Sequence, residues 1–131
     1  MITGAVNRNV EPTIRLTVRG PDDEQQLEAI VDTGFTGFLT LPPSFIATLE
    51  LPRLCLGRAE LANGMIDLFD IHEATVLWDG QPRSVEAESA DTDVLVGMAL
   101  IAGLHLHVHA VEDGTVLISS DSEPTTPATV R

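Results

Sequence analysis

Three dipeptides that favour tight hairpin turns divide the chain into segments of strand length. They are Asn63-Gly64, Asp79-Gly80 and Asp113-Gly114. Two-residue hairpin turns need positive φ angles, which Asn, Asp and Gly adopt most readily. Because each dipeptide lies between short apolar runs, the chain is predicted to be all-β and built largely from antiparallel hairpins, as a barrel or a sandwich.

The first hairpin is predicted from alternation rather than from a turn dipeptide. Residues 13–19 alternate apolar and polar side chains, as a strand with one buried face does. Gly20 and Pro21 then indicate a turn, and the apolar run 27–31 is expected to return as a second strand. This hairpin leads directly into Asp32-Thr33-Gly34.

The remaining elements are predicted from shorter runs. We expect strands over 38–41, 66–78, 82–88, 94–96, 104–111 and 115–118, and short helices over 44–49 and 98–102. The apolar register of the strand 66–78 slips, which predicts a bulge or kink near residues 70–73. The segment 51–60 is too mixed to assign. Residues 1–118 are predicted to form a single domain, and the Ser-, Thr- and Pro-rich tail 119–131 is predicted to be disordered.

The charge balance and apolar content exclude several classes of partner. Asp and Glu number 20 against 7 Lys and Arg, so nucleic acid and anionic membranes are poor partners. No apolar run approaches the roughly 18 residues of a spanning helix, and residues 1–7 lack the basic start of a signal peptide. The one cysteine, Cys55, precludes an intramolecular disulfide, which agrees with a cytoplasmic location.

Asp32, Thr33 and Gly34 are the first candidates for chemistry, because they place a carboxylate at the end of an apolar strand. Asp followed by Thr or Ser and then Gly arises by chance in about one chain in twenty of this length. The tripeptide alone is therefore a weak signal. The structural alternative is a strand-to-turn transition in which Asp32 accepts hydrogen bonds from nearby backbone N–H groups.

The wider context resembles the active-site loop of retropepsin-like aspartic proteases. Residues 29–37 read Ala-Ile-Val-Asp-Thr-Gly-Phe-Thr-Gly, with a hydroxyl residue two places after the first glycine. Residues 94–101 are similar to the family's second landmark, an apolar strand that runs into a glycine, here Gly97, and a short helix. Between the two lies Asn63-Gly64, where the family carries its flap. The resemblance implies a retropepsin-like acid-protease barrel with one or two short helices.

The resemblance is strongest to the small bacterial single-domain members. In these, Phe or Tyr and a Leu-Thr-Leu-Pro run follow the glycine, as in residues 35–42 here. Retroviral members have Ala and then acidic residues at the positions of Phe35, Thr36 and Gly37. The retroviral mode of peptide binding is therefore not carried over to this chain.

By resemblance, the chemistry is peptide-bond hydrolysis by two carboxylates that share one proton. No second Asp-Thr-Gly occurs, since Asp91-Thr92-Asp93 and Asp113-Gly114-Thr115 have the wrong order. The second carboxylate must then be Asp32 of another copy, in a homodimer with an isologous interface. The expected substrate is a peptide or protein, and neither a cofactor nor a metal is expected.

The other residues of these motifs acquire roles from the resemblance. Thr33 would hydrogen-bond across the dimer, Gly34 would leave room for N–H groups near the carboxylates, and Thr36 would brace Asp32 through its hydroxyl. The residues predicted to form the flap tip, which would close over a peptide, are Ala62, Asn63, Gly64 and Met65. The alternative function is a dimeric peptide-binding or scaffold protein that keeps the fold and Asp32 but does not turn over substrate.

Three histidines, His105, His107 and His109, alternate along a predicted strand and would share one of its faces. Two of them could share a metal ion, but no Cys or carboxylate spacing completes a site, so an exposed polar face is the preferred interpretation. Cys55, between two leucines, is predicted to be a packed residue rather than a nucleophile.

The acidic residues of the strand 66–78 are Asp67, Asp70 and Glu73. They are predicted to form a solvated face, and an acidic rim there could favour basic peptides. A serine-hydrolase mechanism is not supported, because no Gly-x-Ser-x-Gly sequence occurs.

Overall fold

The computed structural model describes residues 1–121, which form ten strands and two short helices. The strands are β1 (Ile2–Val6), β2 (Pro12–Arg19), β3 (Glu24–Val31), β4 (Leu39–Leu41), β5 (Arg53–Glu60), β6 (Ile66–Trp78), β7 (Gln81–Ser89), β8 (Leu95–Val96), β9 (His105–Val108) and β10 (Thr115–Ser119). The helices are α1 (Pro43–Leu49) and α2 (Met98–Ile101). No helix in this part of the chain is both long and apolar enough to cross a membrane.

All ten strands of the described residues belong to one sheet, in the order β5-β6-β7-β4-β8-β3-β2-β1-β10-β9. Strand β6 has an additional pairing with β2, through Thr17 opposite Leu77 and Val18 opposite Val76. The sheet therefore folds back on itself and encloses one apolar core. The largest fully buried side chains include Ile14, Leu39, Leu41, Leu49, Leu100 and Ile118.

The predicted hairpin that leads to Asp32 is present. Strands β2 and β3 pair antiparallel from Thr13 opposite Ile30 to Arg19 opposite Glu24. In β2 the burial alternates as the sequence predicts, with Ile14, Leu16 and Val18 inside the core. Because β3 ends at Val31, the next residue, Asp32, lies where the strand emerges from the sheet.

The three turn dipeptides all occur at hairpins, but they differ in geometry. At Asp79-Gly80 both residues have positive φ, 54° and 82°, and Trp78 pairs with Gln81, so this is the two-residue turn that was predicted. At the Asn63-Gly64 turn, Gly64 has a φ of 84° but Asn63 does not have a positive φ. There the Leu61 N–H donates to the Met65 carbonyl at 2.7 Å, which closes a wider turn.

The predicted bulge lies on the opposite strand from the one expected. The register of the β5–β6 pair shifts between Arg53 and Cys55 on β5, which face His72 and Ile71. The apolar slip along β6 has a different cause, because this strand changes its surroundings. Its first half pairs only with β5 in an exposed hairpin, whereas its second half pairs with β7 and β2 over the core.

Two termini differ from the sequence-based expectations. Strand β1 was not predicted, and it pairs with β10 at the far end of the chain. Ser119, assigned to the disordered tail, is instead the buried last residue of β10. Ser120 and Asp121 are described but belong to no strand, and residues 122–131 of the predicted tail lie outside the described residues.

Candidate active site

The loop that contains Asp32 crosses the end of a short buried strand. Strand β8 lies between β3 and β4, parallel to β3 through Val31 opposite Val96 and antiparallel to β4 through Leu39 opposite Val96. The chain therefore leaves β3, passes over the end of β8 and returns on its other side as β4. The Asp32 N–H donates to the Val96 carbonyl at 2.9 Å, which fixes the start of the loop.

The Asp32 carboxylate is half-buried and faces its own loop. Its Oδ1 accepts a hydrogen bond from the Gly34 N–H at 2.9 Å, and the Asp32 carbonyl accepts one from Phe35 at 3.1 Å. Within residues 1–121, Oδ2 accepts no hydrogen bond. A Cβ on Gly34 would lie 3.3 Å from Oδ1, only slightly closer than an ordinary contact. The bond from Gly34 is the one that the strand-to-turn alternative also predicts.

Gly97, the predicted second landmark, lies directly under this loop. A Cβ at this position would be 2.2 Å from the Gly37 carbonyl oxygen and 2.6 Å from the Phe35 ring. The φ of Gly97 is −99°, which any residue adopts, so close approach is what requires glycine here.

Three backbone hydrogen bonds hold the loop against the start of α2. Gly97 donates to Phe38 at 3.0 Å, Met98 to Phe35 at 2.8 Å and Ala99 to Gly37 at 3.1 Å. Residues 35–38 thus have three of their carbonyl groups satisfied by the segment around Gly97. The two regions that resemble a protease site in the sequence, 29–37 and 94–101, are in contact.

Thr40 also fixes the loop, and sequence reasoning missed it. Its hydroxyl donates to the Asp93 carbonyl at 3.0 Å and accepts the Leu95 N–H at 2.9 Å, while the residue is only 5% exposed. It therefore ties β4 to the chain that enters β8. The available signal was a single polar residue inside the run Leu39-Thr40-Leu41, because a buried hydroxyl needs partners.

The two threonines with predicted roles in the loop are both exposed. In the described part of the chain, neither the Thr33 nor the Thr36 hydroxyl makes a hydrogen bond. The predicted bracing of Asp32 by Thr36 is thus not formed within one copy. The contact of Thr33 across a dimer stays a prediction.

The β5–β6 hairpin, called here the flap hairpin and comprising residues 53–72, projects away from the core. Its predicted tip, Ala62 to Met65, is exposed. So are six of its large apolar side chains: Leu54, Leu56, Leu61, Met65, Ile66 and Leu68. Cys55 is also exposed, so the prediction that it is a packed residue is wrong, because β5 extends beyond the core as an edge strand.

The acidic residues of β6 are exposed, as predicted for Asp67, Asp70 and Glu73. Asp70 accepts a hydrogen bond from the Arg53 guanidinium at 3.0 Å. A further carboxylate, Glu88 of β7, lies closer to the Asp32 loop and was not singled out from the sequence. Burial, and to a lesser extent the neighbouring Glu86 carboxylate, raise the pKa of Glu88 above its usual value.

A shallow depression of about 410 Å³ lies beside Asp32. Asp32 and Thr33 form part of its rim, together with Asp93. Apolar side chains from three strands line much of the rest, including Ile30, Leu95, Leu106 and Val108. Strand β9, which supplies the last two, is an edge of the sheet.

The histidines of the β9 region occupy an exposed face. His105, His107 and His109 are exposed, whereas Leu106 and Val108 between them are partly buried, as expected for an amphipathic strand. The His105 ring contacts the Asp121 carboxylate. Among residues 1–121, no group of three or more His, Cys, Asp or Glu side chains is arranged to hold a metal ion.

Comparison with known proteins finds similarity in structure. No protein-family model and no curated protein matches the chain. A retropepsin-like aspartic protease from Rickettsia conorii superposes with a TM-score of 0.55 at 14% sequence identity, over 91% of this chain and 89% of that one. The chain therefore has a retropepsin-like fold, as the sequence resemblance predicted.

Two viral structures also match this chain. The protease of simian foamy virus (mac) has 18% identity and a TM-score of 0.49, over 66% of this chain and 90% of that one. The EIAV protease, in complex with the inhibitor HBY-793, has 16% identity and a TM-score of 0.49, over 70% and 85% respectively.

Proposed function

We propose that the chain is a homodimeric aspartic endopeptidase, in which the Asp32 carboxylates of two copies activate a water molecule. The observation that carries this proposal is the setting of Asp32 in a retropepsin-like fold. Its backbone is fixed to β8, and its carboxylate is half-exposed with Oδ2 accepting no hydrogen bond within residues 1–121. This leaves one carboxylate oxygen available for water or a second carboxylate.

The second carboxylate of the proposed pair is assigned to another copy rather than to Asp93. Asp93 lies on the rim of the same depression as Asp32, but the parallel register of β3 and β8 separates them. Val31 faces Val96, so Asp32 is level with Gly97, four residues beyond Asp93. At about 3.3 Å per residue, the two aspartates are roughly 13 Å apart along the strands. Asp93 is therefore too far from Asp32 to pair with it, and the proposal assigns the second carboxylate to Asp32 of another copy.

In the proposed reaction the two Asp32 side chains share one proton, because two adjacent carboxylates cannot both ionise readily. The ionised carboxylate accepts a proton from water, and the water oxygen attacks the peptide carbonyl. The protonated carboxylate donates its proton to the carbonyl oxygen, which gives a neutral tetrahedral intermediate. The C–N bond then breaks as the nitrogen takes the proton that the first carboxylate accepted from water, and the second carboxylate regains its proton as the carbonyl group re-forms.

The depression beside Asp32 supports contact with a second copy. Each copy carries a formal charge of −13, so association must rely on apolar surface and backbone pairing rather than on opposite charges. Leu95, Leu106 and Val108 provide such a surface next to the loop. Among residues 1–121, the outer edge of β9 pairs with no further strand, so its backbone groups are available for pairing.

The test is cleavage of a diverse peptide library by the wild type and by Asp32→Asn, from about pH 4 to 7. The wild type is expected to cleave and the variant to be inactive but folded, since the amide oxygen can still accept the Gly34 N–H. Asp22→Asn, in an exposed turn, is the matched control and should cleave normally. Equal cleavage by the wild type and Asp32→Asn would assign the activity to other residues.

Sedimentation tests the dimer separately. A stable monomer that cleaves peptides would refute the shared carboxylate pair. A dimer that binds library peptides without cleaving them would favour the alternative of a peptide-binding or scaffold protein. The cytoplasmic location stays a prediction from the single cysteine.

A further inference from the structure

A cavity of about 550 Å³ lies between the flap hairpin and the end of β7. This volume is in the range of pockets that hold small ligands or single side chains of a peptide. The flap hairpin contributes an apolar wall from Leu56, Leu68 and Phe69. The opposite side is formed by residues 88–91, beginning with Glu88.

Glu88 connects this cavity to the Asp32 loop. In the β4–β7 pair, Glu88 lies opposite Thr40. A Cβ on Gly37, five residues after Asp32, would lie 2.6 Å from the Glu88 Oε2 atom. The absence of a side chain at Gly37 therefore lets this carboxylate lie directly against the loop, so one residue of the cavity wall contacts the Asp32 loop.

The polar lining of the cavity has one sign of charge. Its carboxylates are Asp67, Asp70, Glu88 and Asp91, and no Lys, Arg or His from the described residues lines it. Arg53 pairs with Asp70 and neutralises that group. In residues 1–121, Asp67, Glu88 and Asp91 have no ion pair. An occupant with a positive charge would thus meet carboxylates that lack a counter-ion within the chain.

We propose that this cavity binds a lysine or arginine side chain of the peptide substrate and that Glu88 determines this specificity. The inference rests on the proposed function. The methylene groups of a basic side chain would pack on Phe69, which shares a face of the sheet with Glu88, while its charged end reaches the carboxylates. Glu88 is the determinant because it is the carboxylate that contacts the loop, so a cation bound to it positions the peptide relative to Asp32.

The experiment uses peptide pairs that differ in charge but hardly in shape: lysine against norleucine, and arginine against citrulline. Each pair is placed in turn at the positions flanking the scissile bond. At one position, the wild type is expected to cleave the charged peptide with a kcat/KM about 10- to 100-fold higher, the range of one charge-assisted hydrogen bond. In Glu88→Gln this ratio should fall to near unity, with most of the change in KM.

Glu28→Gln is the control, because Glu28 is exposed on β3 and the substitution is chemically identical. It should keep the wild-type preference. A wild type that cleaves both members of every pair equally would overturn the inference and leave the proposed function intact. If Glu88→Gln keeps the full preference for the charged peptide, the inference is likewise overturned and the proposed function is left intact.

The proposed catalysis and the proposed specificity are separated by measuring how labelled peptides bind to the Asp32→Asn variant, with fluorescence anisotropy as the readout. Tighter binding of the lysine and arginine peptides, lost when Glu88→Gln is added, supports the cavity whether or not the wild type cleaves. Equal binding of charged and neutral peptides overturns it. If the wild type cleaves nothing but binding shows the preference, the proposed catalysis fails and the specificity stands.

Discussion

Replacement of Gly97 by alanine tests whether close packing beneath the Asp32 loop holds the site together. The added Cβ would lie 2.2 Å from the Gly37 carbonyl oxygen, and ordinary contacts begin at 3.4 Å. The loop must therefore move by roughly 1 Å, since the obstructing atom is backbone and cannot rotate away. Overpacking of this kind costs about 1–3 kcal/mol.

The displacement also acts on the hydrogen bonds that cross the contact. Gly97 donates to Phe38 and Ala99 donates to Gly37, and each such bond contributes about 1 kcal/mol. Alanine offsets about 0.5 kcal/mol of this loss in stability, because it lowers the conformational entropy of the unfolded chain relative to glycine. We expect a net loss of about 3 kcal/mol in the free energy of unfolding, which for a chain of this size lowers Tm by about 10 °C.

The assay is urea unfolding followed by circular dichroism, with Gly34→Ala as the control. Gly34 lies in the same loop, and a Cβ added there would have the Asp32 Oδ1 atom at 3.3 Å as its nearest neighbour. A loss of less than about 1 kcal/mol in the free energy of unfolding is therefore expected. If Gly97→Ala unfolds within about 0.5 kcal/mol of the wild type, the loop adapts freely. The claim that Gly97 is required by contact would then be refuted.

Two further predictions concern polar groups near the loop, the buried Thr40 and the partly buried Glu88. Thr40→Val should lower the free energy of unfolding by about 2–3 kcal/mol, because it removes two hydrogen bonds and leaves the Leu95 N–H unpaired. The control is Thr75→Val, because Thr75 is a strand threonine whose hydroxyl makes no hydrogen bond within residues 1–121. This variant should change the free energy of unfolding little. Equal losses of the two variants in urea unfolding would contradict the role of Thr40. Burial raises the pKa of Glu88 in the folded chain, so ionised Glu88 destabilises the fold. This destabilisation appears as the pH rises above the pKa that Glu88 has in the unfolded chain. Glu88→Gln should therefore raise Tm at about pH 7 and have less effect near pH 4. Glu28→Gln is the control, and an equal shift of Tm at both pH values in Glu88→Gln would argue against destabilisation by ionised Glu88.

The elements around Asp32 could be predicted because their signals are local. The alternation in residues 13–19 and the run before Asp32 define a hairpin without reference to the rest of the chain. The strand-glycine-helix pattern at 94–101 is likewise contained in eight consecutive residues. That these two segments meet was not predicted, since their contact spans some sixty residues of sequence.

The features that were missed depend on neighbours distant in sequence. Strand β1 is defined by its pairing with β10, at the other end of the described chain. Cys55 lies between two leucines and resembles a core residue, yet it is exposed, as are Leu54 and Leu56 beside it. Thr40 and Glu88 are brought to the Asp32 loop by the β4–β7 and β4–β8 pairings, which no local sequence pattern predicts.

The exposed position of Cys55 has a practical use. It is the one cysteine in the sequence, and it lies on the strand that leads to the flap tip. A thiol-directed spin label can therefore be attached there without introducing or removing any residue. In a symmetric pair of copies, the distance between the two labels would report how far the flaps separate before and after a peptide binds.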